Sequence, residues 1–162
     1  MIRFERTRDY ELVARIMTHP RLYSWIADDF YPPPENFWPN ASESIFYLLV
    51  FDVDESSETK TGDGDLLGLI ITHPINALLW ETHLALLPHA WGETAREIAA
   101  AFEAWLWATT PAKKAVGFMP ADNTLGIRYL RRVGWREAGR LEACYMRFGR
   151  LLDLLIFEKS RG

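Results

Sequence analysis

The sequence predicts an α/β domain in which helices cover the faces of a mixed β-sheet. Three features carry this reading. An apolar strand ending near Leu87 passes through Pro88 and a Gly-containing loop into a long amphipathic helix, a second strand-to-helix unit follows from Lys114 to Val133, and two extended runs close the chain. Successive strand-helix units call for parallel or mixed pairing near the sheet centre, because the helix carries the chain back across one face.

In chain order, Ile2 to Glu5 reads as an opening strand. Asp9 can cap a helix that buries Leu12, Val13, Ile16 and Met17 and ends near Pro20. Leu22 to Phe30 has the composition of a second short helix. Pro32 to Pro34 then predict an extended, stiff connection without helix, since each ring fixes φ and removes a backbone donor. The aromatics around it, Tyr23, Trp25, Phe30, Tyr31, Phe37 and Trp38, are expected to pack over a sheet edge. Ser44 to Val53 and Leu66 to Thr72 are strands by composition. Between them, the polar and acidic stretch 54–65 reads as a mobile hairpin loop.

Ala77 to Leu87 is apolar on both parities, with Leu79, Ala85 and Leu87 on one face and Trp80, Leu84 and Leu86 on the other, which marks a central strand. Glu81 and His83 share the first face, so each is expected in a nearly dry place where an uncompensated polar group costs about 1–3 kcal/mol. Either neighbouring hydrogen bonds compensate them or the strand opens there onto a cleft. Beyond Pro88, Ala95, Ile98, Ala99, Phe102, Trp105, Leu106 and Thr109 form one helical stripe, stopped by Pro111. Thr94 followed by Glu97 reads as a capping box, with ligand contact as the alternative. A strand that enters a helix through a tight loop aims the free N–H groups of the first turn beyond the strand end, where phosphate-bearing molecules dock.

Lys114 to Pro120 is the next strand. Asp122 or Asn123 can cap the helix after it, whose apolar face is Leu125, Tyr129, Leu130 and Val133 and whose end is Gly134. Trp135 restarts an extended segment. Glu142 to Phe148 and Leu151 to Phe157 are strands separated by a tight turn at Gly149-Arg150, and residues 159–162 form a charged tail expected to fray. Cys144, the single cysteine, is read as a packed thiol on a strand.

The 162 residues, 49% of them apolar, suit one domain spanning 1–162. A net charge of −4 argues against a nucleic-acid phosphate backbone as partner and mildly favours a basic substrate. No run of about 18 apolar residues is present to cross a bilayer, and charged residues interrupt the N-terminus, so a cytoplasmic protein is expected. His19, His73 and His83 are scattered along the sequence, and no His and Cys spacing suits zinc, so no metal is expected.

The order of elements resembles the GNAT (Gcn5-related N-acetyltransferase) superfamily: a central fourth strand, Pro88 and a loop containing Gly92, a long helix, a fifth strand, a helix opened by Asn123 and closed by Gly134-Trp135, then two antiparallel strands. The Trp91-Gly92 pair is similar to the branch that acetylates protein N-termini, and phage-borne members show a similar fourth strand followed by Pro. The resemblance implies a mixed, mostly antiparallel sheet of about seven strands with a parallel fourth and fifth pair. It also implies acetyl-CoA as cosubstrate and a primary amine of a small molecule or protein as acceptor. By the same resemblance, Leu86, Leu87, His89, Ala90, Trp91, Gly92, Glu93, Thr94 and Asn123 hold the cofactor. The pantetheine arm lies along Leu84 to Leu87, the diphosphate lies against the Ala90 to Thr94 turn, and the aromatic segment borders the acceptor.

An amine must lose a proton to attack a thioester, so a base is needed in a partly dry site; Glu81, with its pKa raised by burial, or His83 is expected to serve. Two departures stand out. The loop matches the family's glycine pattern only at Gly92, with Glu93 and Glu97 adding negative charge, and Leu130 occupies the position of a tyrosine acid that many relatives use. They support a competing reading, a catalytically degenerate fold kept as a binding or assembly module. Apolar helix faces leave a homodimer open under either.

Overall fold

The computed structural model describes residues 1–53 and 64–162. Their elements are β1 (Ile2–Thr7), α1 (Tyr10–Met17), α2 (Pro20–Ile26), β2 (Phe46–Asp52), β3 (Asp65–Pro74), β4 (Leu79–Leu86), α3 (Glu93–Thr109), β5 (Lys114–Pro120), α4 (Thr124–Arg132), β6 (Arg136–Arg147) and β7 (Arg150–Ser160). Most of the expected hairpin loop at 54–65 lies outside the described residues, and Asp65 already belongs to β3.

The strands form one sheet in the order β1-β2-β3-β4-β5-β7-β6, antiparallel throughout except for the parallel β4-β5 pair. Its position makes β4 apolar on both sides. Trp80, Leu84 and Leu86 enter the core beneath α3 and α4, with Ile98, Phe102, Leu106 and Phe157, whereas Ala85 and Leu87 enter the core beneath α1 and α2, with Val13, Ile16 and Leu69. The two parities of the sequence are thus the two layers of the fold.

Several boundaries differ from expectation for local reasons. The second helix is Pro20–Ile26 rather than 22–30, because the His19 Nδ1 accepts from the Arg21 N–H and Pro20, with its preset φ, occupies the first turn. The proline segment is not wholly extended: Pro34–Asn36 make one 3-10 turn, and Phe37 then packs between Tyr23 and Tyr31. Trp25, Phe30 and Trp38 stay exposed instead of covering a sheet edge. In α3 the capping box does not form. Gly92 is the N-cap, at φ 89° and without a side-chain cap, which places Thr94 inside the first turn.

The α4 ends follow their sequence signals. Asn123 Oδ1 accepts from the Gly126 N–H at 3.0 Å, and at the other end the Gly134 N–H donates to the Arg131 carbonyl while the Trp135 N–H donates to that of Leu130. These bonds form a Schellman motif, in which φ 82° suits Gly134. Ile127, rather than exposed Leu125, joins Leu130 in the core. Asn123→Ala is expected to lower the unfolding free energy by about 1 kcal/mol in a urea titration; an unchanged midpoint would show that the cap is idle.

The β6-β7 turn is Phe148-Gly149, one residue earlier than expected, with both φ values positive as a two-residue hairpin requires. A register shift between Leu141 and Tyr145, with Ala143 at φ 48°, turns Cys144 outward, so the cysteine is exposed rather than packed. The tail is pinned further than expected: Lys159 Nζ donates to the Val133 carbonyl and the Arg161 N–H to that of Lys113. Among the described residues no helix is long and apolar enough to cross a membrane.

Candidate active site

The site begins where two neighbouring strands stop pairing. The β4-β5 register runs only from Leu79↔Lys114 to Glu81↔Val116, although β4 continues to Leu86 and β5 to Pro120. On its other edge β5 pairs with β7 along its whole length, and β4 remains paired to β3 as far as Leu86↔Gly68. The two strands therefore diverge as rigid walls of a notch. Gly117 is the pivot, since a Cβ there would meet the Thr82 carbonyl at 3.2 Å.

Strand alternation decides which backbone groups face this notch. The Leu87 N–H donates to the Leu67 carbonyl and the Leu87 carbonyl accepts from the Ala90 N–H, so the N–H of Leu87 is engaged while its carbonyl keeps a second lone pair. In an antiparallel ladder the alternate residues turn the other way, which directs the backbone of Leu84 and Leu86 toward β5. The Leu86 carbonyl accepts from the Trp91 indole Nε1 at 2.8 Å, and Arg21 lies over that indole at 5.0 Å. Ala90 is fully buried and its N–H is used, so it serves the core rather than the loop surface. His89 turns away toward Asp65, at 3.4 Å.

At the notch mouth the chain makes a 3-10 turn, Pro88–Ala90, and Gly92 starts α3. A Cβ at Gly92 would meet nothing within 4 Å, so open space lies against its backbone. With no side-chain cap, the first-turn N–H groups at Glu93, Thr94 and Ala95 keep their positive field for whatever lies outside. Glu93 pairs with Arg96 one turn on, which offsets part of the acidic charge beside it. Asn123 acts as the α4 cap, and its carbonyl accepts from the Ile127 N–H.

Across the α3/α4 face, a shallow recess is lined by Leu84, Phe102, Tyr129, Val133 and Trp135. Sequence reasoning missed its bracing. The Tyr129 hydroxyl donates to the Ala95 carbonyl at 2.8 Å, and burial pushes its pKa well above the ordinary phenol range. Tyr129 ties α4 to the start of α3 and is a poor proton donor for a leaving group. Leu130 is buried in the core.

The opposite face carries the ionisable cluster. His83 Nε2 lies 2.8 Å from Glu81 Oε1, and His73 Nε2 lies 3.6 Å from Glu81 Oε2. The β3-β4 register sets His73 directly across from Glu81, so a hairpin unites residues eight and ten positions apart. Glu81 is about four-fifths buried, whereas the His83 side chain is 45% exposed, not nearly dry, because the β5 ladder has ended beside it. The hydrogen bond from His83, helped by the charges of both imidazoles, holds the Glu81 carboxyl below its ordinary range against the opposing effect of burial. The expected rise for Glu81 is therefore reversed. Its carboxylate is an anchor for imidazole, with His83 Nδ1 left as the outer nitrogen.

No protein-family model and no curated protein matches this sequence. Solved structures do match its fold. Spermidine N-acetyltransferase from Vibrio cholerae, in complex with CoA and spermine, superposes with a TM-score of 0.76 over 98% of this chain and 95% of that one, at 14% identity. A chain described as a GNAT-family acetyltransferase from Desulfovibrio desulfuricans gives 0.65 over 99% of each chain at 15% identity. A GNAT-family acetyltransferase from Bacillus anthracis gives 0.57 over 75% of this chain and 68% of that one, at 17% identity. The chain has the GNAT fold.

Proposed function

We propose that the protein transfers an acetyl group from acetyl-CoA to an amine. The observation that carries this reading is the notch between β4 and β5, which opens toward the uncapped first turn of α3. CoA has a flexible arm with amides and a diphosphate, and the two surfaces match that division. The backbone of Leu84 and Leu86 offers hydrogen bonds to the arm, and the Gly92–Ala95 turn offers N–H donors and a helix dipole to the diphosphate. For the arm to use the Leu86 carbonyl, it must share it with the Trp91 indole or displace that group.

In this reading His83 is the catalytic residue. An ammonium has no lone pair to attack a thioester carbonyl, so a proton must leave nitrogen before the N–C bond forms, and the outer His83 nitrogen takes it directly or through one water. Glu81 fixes the imidazole's tautomer and balances its charge while the proton is held. The carbonyl oxygen gains negative charge during attack, and in this reading a backbone N–H of β4 that faces β5, at Leu84 or Leu86, stabilises it. The C–S bond then breaks, and the second proton leaving the acylated nitrogen passes through water to the thiolate rather than through Tyr129, whose hydroxyl is engaged. The solved neighbour bound to CoA and spermine supports both cosubstrate and amine, while the acceptor of this chain is left at the level of an amine.

A second reading is favoured by one observation: Trp91 donates to the Leu86 carbonyl and the Leu87 N–H is engaged with β3, which fits a fold kept for binding or assembly without turnover. Thermal unfolding separates the two. Acetyl-CoA at about 100 times its dissociation constant adds about 2.7 kcal/mol if it binds only the native state, which raises Tm by about 5–10 °C in a domain of this size. No shift at millimolar acetyl-CoA would favour the module.

A further inference from the structure

We propose that His73, Glu81 and His83 form a binding site for a borderline transition-metal cation of the zinc type. Their ligand atoms, one from each side chain, all lie within 4.8 Å of one another. Two imidazoles and one carboxylate suit such a metal better than magnesium or calcium, which prefer an all-oxygen shell. Three protein ligands leave one tetrahedral position open to water.

The backbone makes this set rigid. His73 and Glu81 face each other across the β3-β4 pair, and His83 follows two residues along on the same face of β4. Both Nε2 atoms point at the same carboxylate, one to each oxygen, and the rings are inclined by only 26° with centroids 6.5 Å apart. Both nitrogens thus already flank one carboxylate, where a cation can take the place of the proton that joins His83 to Glu81 and draw in the nearby His73 nitrogen. Ligand atoms around tetrahedral zinc stand about 3.3 Å apart, given bonds of roughly 2.0–2.1 Å. The His83 contact is already shorter than this, the His73 contact is slightly longer, and no two ligand atoms are more than 4.8 Å apart, so side-chain rotation without backbone change completes the shell. Competition from protein cations is absent among the described residues: the ion pairs of Glu81 are with the two histidines, and no Lys or Arg reaches it.

Metal on His83 Nε2 puts the imidazole proton on Nδ1, so the metal-bound form is not the form that accepts a proton in acetyl transfer; the test therefore reads metal directly and needs no turnover. The chain, first stripped with a chelator, is titrated with zinc by calorimetry, and cobalt(II) is titrated in parallel by visible absorption. One zinc per chain is expected, with a cobalt spectrum of tetrahedral intensity. His73→Gln, Glu81→Gln and His83→Gln are each expected to weaken zinc by at least about tenfold, whereas His19→Ala and Cys144→Ser leave affinity unchanged. On the unaltered chain, zinc is expected to shift the ring signals of His73 and His83 in NMR spectra and not those of His19 and His89, which keeps the test decisive if a variant folds poorly. Absence of zinc binding, affinity unaffected by His73→Gln, affinity lost in Cys144→Ser, or shifts confined to His19 or His89 would each overturn the site.

Discussion

His83→Ala is expected to lower kcat for acetyl transfer by about 10²- to 10⁴-fold, the usual contribution of a positioned base. Its KM for acetyl-CoA is expected to change little, because His83 lies on the sheet face opposite the α3/α4 recess and is not among the residues that line it. Glu81→Gln acts in the same direction with a smaller loss. The amide keeps the shape of the side chain but surrenders the charge that fixes the imidazole tautomer, so the imidazole remains while its orientation degrades. Thiol release measured under steady-state conditions, together with acetyl-CoA binding to each variant, checks this. Equal losses in turnover and cofactor binding, or no loss in either, would remove both residues from the chemistry.

Asp122→Ala is expected to destabilise the fold by about 3 kcal/mol, the lower end of the range for breaking a buried ion pair, because Asp122 keeps some contact with water. Its partner Arg147 is 2% exposed and lies between Trp25 and Tyr145. The remaining contacts of the guanidinium are weak: Nη1 reaches the Ser24 and Trp25 carbonyls at 3.4 Å each, and Nε has no partner. Removing the carboxylate leaves a charge in a dry place with little else to compensate it. The pair joins β6 to the turn before Asn123, so the loss is felt where α4 begins. Combining it with Arg147→Met is expected to recover part of the stability, since no charge is then left buried. Denaturant unfolding of the single and double variants measures the coupling. A single variant within about 0.5 kcal/mol of the parent, the range of ordinary surface substitutions, would contradict it.

Elements whose signals are local were legible in the sequence. The α3 stripe, the Asn123 cap, the Gly134 terminus and the two-faced β4 depend on neighbours within a few residues or on simple parity. Features set by a single backbone torsion were not. Positive φ at Gly92 starts α3 early and cancels the Thr94-Glu97 box, and the Ala143 bulge reverses the parity that placed Cys144 inside. The site was half legible for a related reason. Glu81 and His83 stand out as polar residues on a central strand, but the register that brings His73 to Glu81 is a tertiary fact, invisible to ligand spacing along the chain. The exposure of His83 likewise follows from where the β5 ladder stops, which periodicity cannot express.

Amide hydrogen exchange with and without acetyl-CoA bears most directly on the notch. Slowed exchange is expected at Leu84 and Leu86, whose backbone faces the opening, and at Glu93, Thr94 and Ala95 in the uncapped turn, while the fully laddered β2 exchanges as before. Acetyl-CoA that binds with no protection at those five amides, or that protects a surface elsewhere, would contradict a cofactor seated between β4 and β5.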